Sequence, residues 1–296
     1  MKIIVQWSGG KDSQACLIHT VKKFGTKKVL AVFCDTGFEH ALTYKHVIDF
    51  PKQIGVELVI IKSSIYDGFV DLAKKHNRFP STKARFCTSK LKTEPFVDYI
   101  LDEVQDDVLV IQGIRADESL NRSKYSAQCN LFKYYFEAYN TDKHGRKEYH
   151  NYRSKEVKIY CSKYATEIER PIFKWTATDT INYILDAGFN VNPLYFMGAV
   201  RVGCYPCVMC RHSEIKSIAL KDEERFNELV KMEDYVGRSF FPPNYIPKRY
   251  QTGMDAKGNI YPTIMDVKNY VLNIEKQRTP EPEEIGGCMS FYGICE

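Results

Sequence analysis

The chain has 296 residues, 44% hydrophobic and 27% charged, a balance that suits one large α/β domain with an appendage, or two domains. Its apolar runs, such as Val29–Cys34, are far too short to span a bilayer, and the first residues show no signal-peptide pattern, so a cytoplasmic protein with no membrane partner is expected. The net charge is +5, from 42 basic and 37 acidic residues, and its placement along the chain is more informative than its size.

Lys2–Trp7 predicts a short apolar strand that runs into Ser8-Gly9-Gly10-Lys11-Asp12-Ser13 and then into a helix over Asp12–Phe24. Glycines let backbone N–H groups approach an anion, the helix N-terminus adds partial positive charge, and Lys11 adds a full one. Ser8 through Ser13 therefore predict a phosphate cradle. The spacing is not that of the Gly-x-x-x-x-Gly-Lys-Ser/Thr loop. Further strands are predicted at Lys28–Cys34, Val56–Ile61 and Val108–Gly113, with helices over Ala41–Ile54, Ser64–His76, Lys90–Val104 and Thr176–Ala187. Alternating strands and helices imply a parallel, Rossmann-like sheet whose ligands bind at its carboxyl edge. Beyond Ala199 the sequence becomes loop-rich, with helices expected around Glu214–Met232 and Thr263–Ile274. A domain of residues 1–199 and a cysteine-bearing region of residues 200–296 follow from that change.

Three turns fall at the predicted carboxyl edge. Asp35-Thr36-Gly37 places an acid where it can orient a ribose hydroxyl or a magnesium ion. Gly113-Ile114-Arg115, followed by Glu118, places a guanidinium that can clamp a phosphate bidentately. The phosphate loop is the third. Upstream of a helix, Arg85-Phe86-Cys87-Thr88 is expected to cap that helix with Thr88, and Cys87 near Arg85, Lys90 and Lys92 is expected to have a lowered thiol pKa. Lys90 and Lys92 are candidate anion ligands, and Cys87 a candidate nucleophile.

The ten cysteines argue against a disulfide framework and toward metal or sulfur chemistry. Cys204-Tyr-Pro-Cys207 with Cys288 and Cys295 suits a tetrahedral zinc ion or an iron–sulfur cluster, with Cys210 as a competing ligand. Residues 120–165 carry ten basic side chains against four acidic ones, a net +6 that exceeds the +5 of the whole chain, interleaved with eight tyrosines. That pattern suits nucleic acid, or a lid over a nucleotide. Asp142-Lys-His-Gly-Arg146 within it predicts a hairpin turn.

Taken in order, the phosphate loop, Asp35-Thr36-Gly37, Arg85–Thr88 with Leu91-Lys92, Gly113–Arg115 with Glu118-Ser119, Pro171 through Trp175-Thr176, and Pro193–Tyr195 with Arg201–Cys204 resemble the phosphoadenosine phosphosulfate (PAPS) reductase family of the PP-loop superfamily. The resemblance implies an adenine nucleotide, ATP or PAPS, as ligand. It also implies catalytic roles among Lys11, Asp12, Arg115 and Cys87. One reading is ATP cleavage at the α-phosphate, with Mg2+, to activate a target for sulfur transfer, a nucleic acid included, with a sulfur-donor protein as partner. Another is a thiol-dependent PAPS or adenylyl-sulfate reductase. A third is a non-catalytic nucleotide- or DNA-binding partner. The Glu-Cys-Gly-x-His-type tail of the reductases has no counterpart in Tyr292-Gly-Ile-Cys-Glu296.

Overall fold

The computed structural model describes residues 1–273. Its strands are β1 (Lys2–Trp7), β2 (Val29–Cys34), β3 (Glu57–Ile61), β4 (Val108–Ile111), β5 (Gln128–Asn130), β6 (Asn140–Thr141), β7 (Lys147–Glu148), β8 (Thr166–Glu169), β9 (Gly253–Met254) and β10 (Ile260–Tyr261). Its helices are α1 (Lys11–Phe24), α2 (Ala41–Gln53), α3 (Gly68–Lys75), α4 (Phe86–Thr88), α5 (Glu94–Glu103), α6 (Lys133–Phe136), α7 (Ser154–Cys161), α8 (Ala177–Asp186), α9 (His212–Lys221), α10 (Glu223–Val236) and α11 (Ile264–Asn273). None of the described helices is long and apolar enough to cross a membrane.

The chain forms two compact units. The first comprises Met1–Asp35, Ala41–Lys62 and Thr93–Pro193. It holds a six-stranded sheet in the order β3-β2-β1-β4-β8-β5, parallel except for β5, which pairs antiparallel with β8 at the edge. This is the expected α/β class. β1 pairs Ile3 through Trp7 with Val29 through Phe33 on one side and Lys2 through Val5 with Val108 through Ile111 on the other. The strand order thus reverses between β1 and β4, and the crevice beyond their carboxyl ends is the site such sheets offer a ligand. One face packs Ile4, Val32, Val110 and Ile168 against Phe96, Val97 and Ile100 of α5 and Val157 and Tyr160 of α7. Each large apolar side chain buried there contributes about 1.5–3 kcal/mol.

The second unit comprises Thr36–His40, Ser63–Lys92 and the described residues from Leu194 onward. Its core gathers Leu72 of α3, Ile215 and Ile218 of α9, Phe226, Leu229 and Met232 of α10 and Val267 of α11. Phe38 stacks on Phe69 at 4.4 Å. The single helix expected around Glu214–Met232 is two, because the Asp222 side chain accepts from the Arg225 backbone N–H at 3.0 Å and starts α10 afresh.

Candidate functional site

The phosphate loop is built by the first unit. Gly9 has φ +73°, and a Cβ there would meet Val47 at 2.9 Å, so neither the backbone nor the packing admits a side chain. Gly10 is the extended N-cap of α1 and supplies no side-chain cap. The Ser8 backbone N–H donates to Ser13 Oγ at 3.2 Å, and that hydroxyl donates to the Gly10 carbonyl at 2.9 Å, so the two serines close the loop on itself. From behind, Asn192 Nδ2 donates to the Gly9 carbonyl at 3.1 Å, and both Asn192 and Lys11 are buried. Lys11 Nζ lies 3.4 Å from Asp12 Oδ2.

The turn after β4 lies on this helix end. A Cβ at Gly113 would sit 2.7 Å from both the Asp12 carbonyl carbon and the Ser13 nitrogen, backbone atoms that cannot yield. Two residues on, Arg115 is 4% exposed, and its Nε donates to Asp12 Oδ1 at 2.6 Å. Its Nη1 pairs with Asp117, while its backbone N–H donates to Glu118 Oε2 at 3.2 Å. Burial opposes the guanidinium charge, but Asp12, Asp117 and Glu118 outweigh it and hold the pKa above its ordinary value. The predicted phosphate clamp is therefore committed to carboxylates in this structure.

Asp35, at the end of β2, accepts from Tyr44 Oη at 2.7 Å and pairs with Lys62 Nζ at 3.0 Å. Asp12 and Asp35 are thus each paired with a cation. As arranged, held by Arg115, Lys11, Tyr44 and Lys62, they do not fit a magnesium site. Behind the loop, the His46 ring stacks on Phe50, and its Nε2 lies 3.2 Å from Gln14 Oε1. Burial pulls the His46 pKa down to about 4, against a small upward pull from Asp49.

The remaining predicted residues belong to the second unit. Thr36 Oγ1 donates to Glu39 Oε1 at 2.7 Å, and the backbone N–H groups of Thr36 and Phe38 donate to the other oxygen of this buried carboxylate. Gly37 has φ +66°, and a Cβ on Gly68 would meet the Thr36 carbonyl at 2.8 Å, so the Asp-Thr-Gly turn abuts the start of α3. Cys204 forms a β-bridge with Glu39, and its Sγ lies 3.6 Å from Thr36 Oγ1. Glu39 was not anticipated from sequence. Its signal was its position three residues after a threonine, the spacing at which a carboxylate reaches back to a turn's N–H groups.

Two expectations about Cys87 are corrected. Thr88 does not cap the helix, which starts at Phe86 with Arg85 at the N-cap and no side-chain cap, and it continues through a π-helical turn over Ser89–Thr93 that carries the half-buried Lys90 and Lys92. The Cys87 thiol is not poised as a thiolate. Burial raises its pKa and Cys207 adds to the rise, together outweighing Arg85 and Lys92. The four-cysteine metal set is not assembled among the described residues, where no three His, Cys, Asp or Glu side chains come together to hold a metal. Cys204 and Cys207 are half-buried in the second core, whereas Cys288 and Cys295 lie outside the described residues. Cys210 is buried, and burial pushes its thiol up to about 12.

Within residues 120–165 the structure divides the basic and aromatic side chains into two groups. Tyr135 and Tyr160 are core residues. The Tyr152 hydroxyl donates to Asp98 at 2.9 Å, and Arg153 joins Asp98, Asp102 and Glu156. These hold α7 to α5. Tyr134, Tyr139 and Tyr149 are exposed around the β6–β7 hairpin, whose turn forms as expected, with the Asp142 N–H donating to the Arg146 carbonyl at 2.9 Å. Arg170, at the end of β8, is 8% exposed and donates to Gln112 Oε1 and, at 2.6 Å, to the Ser126 carbonyl.

A glycine-built loop at the reversal point of a parallel sheet, opening a helix and covered by the turn after β4, defines a PP-loop protein of nucleotide-binding type. The model of the phosphoadenosine phosphosulfate reductase domain matches residues 2–210, and the chain belongs to that family. It is 29% identical to an uncharacterized protein of the gpa 5′ region of Escherichia phage 186, over 86% of this chain and 83% of that one. It is 30% identical to an uncharacterized protein of Methanocaldococcus jannaschii over 73% of this chain but only 38% of that longer protein. Among solved structures, PAPS reductase from Candida auris in its phosphate complex matches at 17% identity and TM-score 0.46, covering 70% of this chain and 83% of that one. FMN adenylyltransferase from Candida glabrata, with FAD and pyrophosphate, matches at 12% and 0.43, covering 69% and 55%.

Proposed function

We propose that the chain is a PP-loop enzyme that binds an adenine nucleotide on Ser8–Ser13 and cleaves ATP between the α- and β-phosphates, activating an acceptor for sulfur transfer. The observation that carries this reading is the contact of Gly113 with the Asp12–Ser13 peptide, which sets the β4 turn directly on the N-terminus of α1. Family membership supports the ligand class. An acceptor oxygen attacks the α-phosphorus, the bond from that phosphorus to the bridging oxygen breaks, and pyrophosphate leaves with the electron pair. The loop N–H groups and Lys11 stabilise the charge that accumulates on the departing phosphates. Arg115 fixes the Asp12 carboxylate beside Lys11. A sulfur nucleophile carried by a donor protein then displaces AMP from the activated acceptor.

The raised Cys87 pKa favours this reading over a reductase in which that thiolate attacks a sulfonyl sulfur. The deciding experiment incubates the protein with ATP, PAPS or adenylyl sulfate, each in the presence of a dithiol as reductant and of a nucleic acid as acceptor, and follows pyrophosphate and sulfite. Pyrophosphate from ATP supports the proposal. Sulfite from either sulfonucleotide assigns a reductase instead, and binding of a nucleotide with neither product assigns a non-catalytic partner.

A further inference from the structure

A pocket of about 370 Å³ opens at the β5 edge of the six-stranded sheet in the first unit. Its walls include Ser126, Gln128, Asn130, Lys133, Phe136 and Glu137, and Lys133 Nζ lies 3.4 Å from Glu137 Oε2. Gln128 and Asn130 are two apart on β5 and so share a face of the strand. The Asn130 Oδ1 accepts from the Phe132 N–H at 2.8 Å and from Thr166 Oγ1 at 3.2 Å. Its side-chain oxygen is thereby fixed, and its amide N–H groups make no hydrogen bond among the described residues. The exposed Gln128 carboxamide makes none there either. Phe136 is 54% exposed at the end of α6, one turn from Lys133. Behind the wall, Arg170 binds the Ser126 carbonyl at 2.6 Å and lies 3.5 Å from Cys129 Sγ, which makes this edge rigid.

We infer that this pocket receives an unpaired nucleobase of a single-stranded nucleic acid, an inference that rests on reading residues 120–165 as a nucleic-acid surface. The ligand must have a flat apolar face for Phe136, a hydrogen-bonding edge for two carboxamides, and an anion that takes the place of the exposed Glu137 carboxylate beside Lys133. A nucleotide within a strand supplies all three, and the ring is available only when unpaired. A duplex offers its backbone to the basic side chains but no base to the pocket.

The test uses the full chain without ATP and measures binding of a labelled single-stranded DNA, the same sequence as RNA, and the corresponding duplex, at several salt concentrations. Single strands should bind at least tenfold more tightly than the duplex. Phe136→Ala should weaken single-strand binding about tenfold, the scale of losing one stacked base, while duplex binding and the unfolding midpoint stay unchanged. Gln128→Ala should change the ratio of affinities for homopolymers of different bases. Preference for RNA or for DNA then identifies which strand the pocket takes. If salt-dependent binding is equal for duplex and single strand and indifferent to Phe136→Ala, the basic surface stands and the pocket is overturned. No binding of any oligonucleotide overturns both and leaves the ATP reading, tested through pyrophosphate release, untouched.

Discussion

Arg115 reaches across from the turn after β4 to Asp12 in the first turn of α1, Nε to Oδ1 at 2.6 Å, and this pair ties the two glycine-bearing turns of the site together. The Arg115 side chain is 5% exposed and that of Asp12 18%. Removing one partner of such a pair leaves a buried charge under-compensated. Asp117 and Glu118 stay beside Arg115, so Asp12→Asn should destabilise the fold by only about 1.5–3 kcal/mol. Urea unfolding of Asp12→Asn, Arg115→Met and the double variant should give a coupling energy clearly above zero. Additive single effects would show that the pair contributes nothing.

Lys11 is the buried cation of the cradle. Lys11→Ala should weaken ATP binding by about 1.5–3 kcal/mol, the scale of a charge-assisted hydrogen bond. Calorimetric titration showing unchanged affinity for both ATP and PAPS would remove the site from Ser8–Ser13.

Gly113 tests the packing itself. Its φ is not positive, so alanine there has no backbone conflict, only the 2.7 Å approach to Asp12 and Ser13. Gly113→Ala should push the β4 turn off α1, cost about 1–3 kcal/mol of stability as overpacking does, and lower nucleotide affinity at least tenfold. Gly25→Ala supplies the contrast. Its φ of +80° carries strain but no neighbour lies within 4 Å, so stability should fall without a selective loss of binding.

The first four strands were legible because each is a short run of apolar residues bounded by turns, a pattern that marks β1, β2 and β4 as strands covered on both faces, whereas β3 lies at the sheet edge with no residue fully buried. β8 was not. Thr166-Glu-Ile-Glu169 has one large apolar side chain in four, and it is a strand only because β4 and β5 flank it. The loop glycines were readable as a motif, but the reason Gly113 must be glycine lies about 100 residues away in sequence, at Asp12 and Ser13. Cys87 shows the opposite limit. Its neighbours in sequence are cations, whereas burial, which sequence does not reveal, sets its thiol.

His46 gives a pH dependence with a definite sign. Its folded pKa, about 4, lies below the ordinary imidazole value of 6.5, so the unfolded chain binds more protons between those values. The contribution of neutral, buried His46 is therefore full above about pH 6.5 and is lost as pH falls toward 4. A shift of this size corresponds to a loss of about 3 kcal/mol. His46→Phe keeps a ring against Phe50 and should flatten the stability profile between pH 4 and 6.5 relative to the parent. An unaltered acid slope would mean that other groups set it.

The insert makes the sharpest contrast between charge that builds the fold and charge that is available to a ligand. Arg153 is held by Asp98, Asp102 and Glu156, and Arg122 is paired with Glu118, so neither is available to a polyanion without breaking the contacts described. Lys143, Arg146 and Lys147 sit on the β6–β7 hairpin and form no ion pair among the described residues. Each phosphate neutralised by such a residue contributes about 0.7–0.9 to the slope of log affinity against log salt. Replacing all three with alanine should reduce that slope for nucleic acid by about 2 and leave ATP affinity and the unfolding midpoint unchanged. Arg153→Ala should do the reverse, lowering the unfolding midpoint while the slope holds, because it removes the ties between α7 and α5. An unchanged slope in the triple variant would reassign the insert from a polyanion surface to a lid or protein-docking element, and the sulfur-transfer reading would lose nucleic acid as its acceptor.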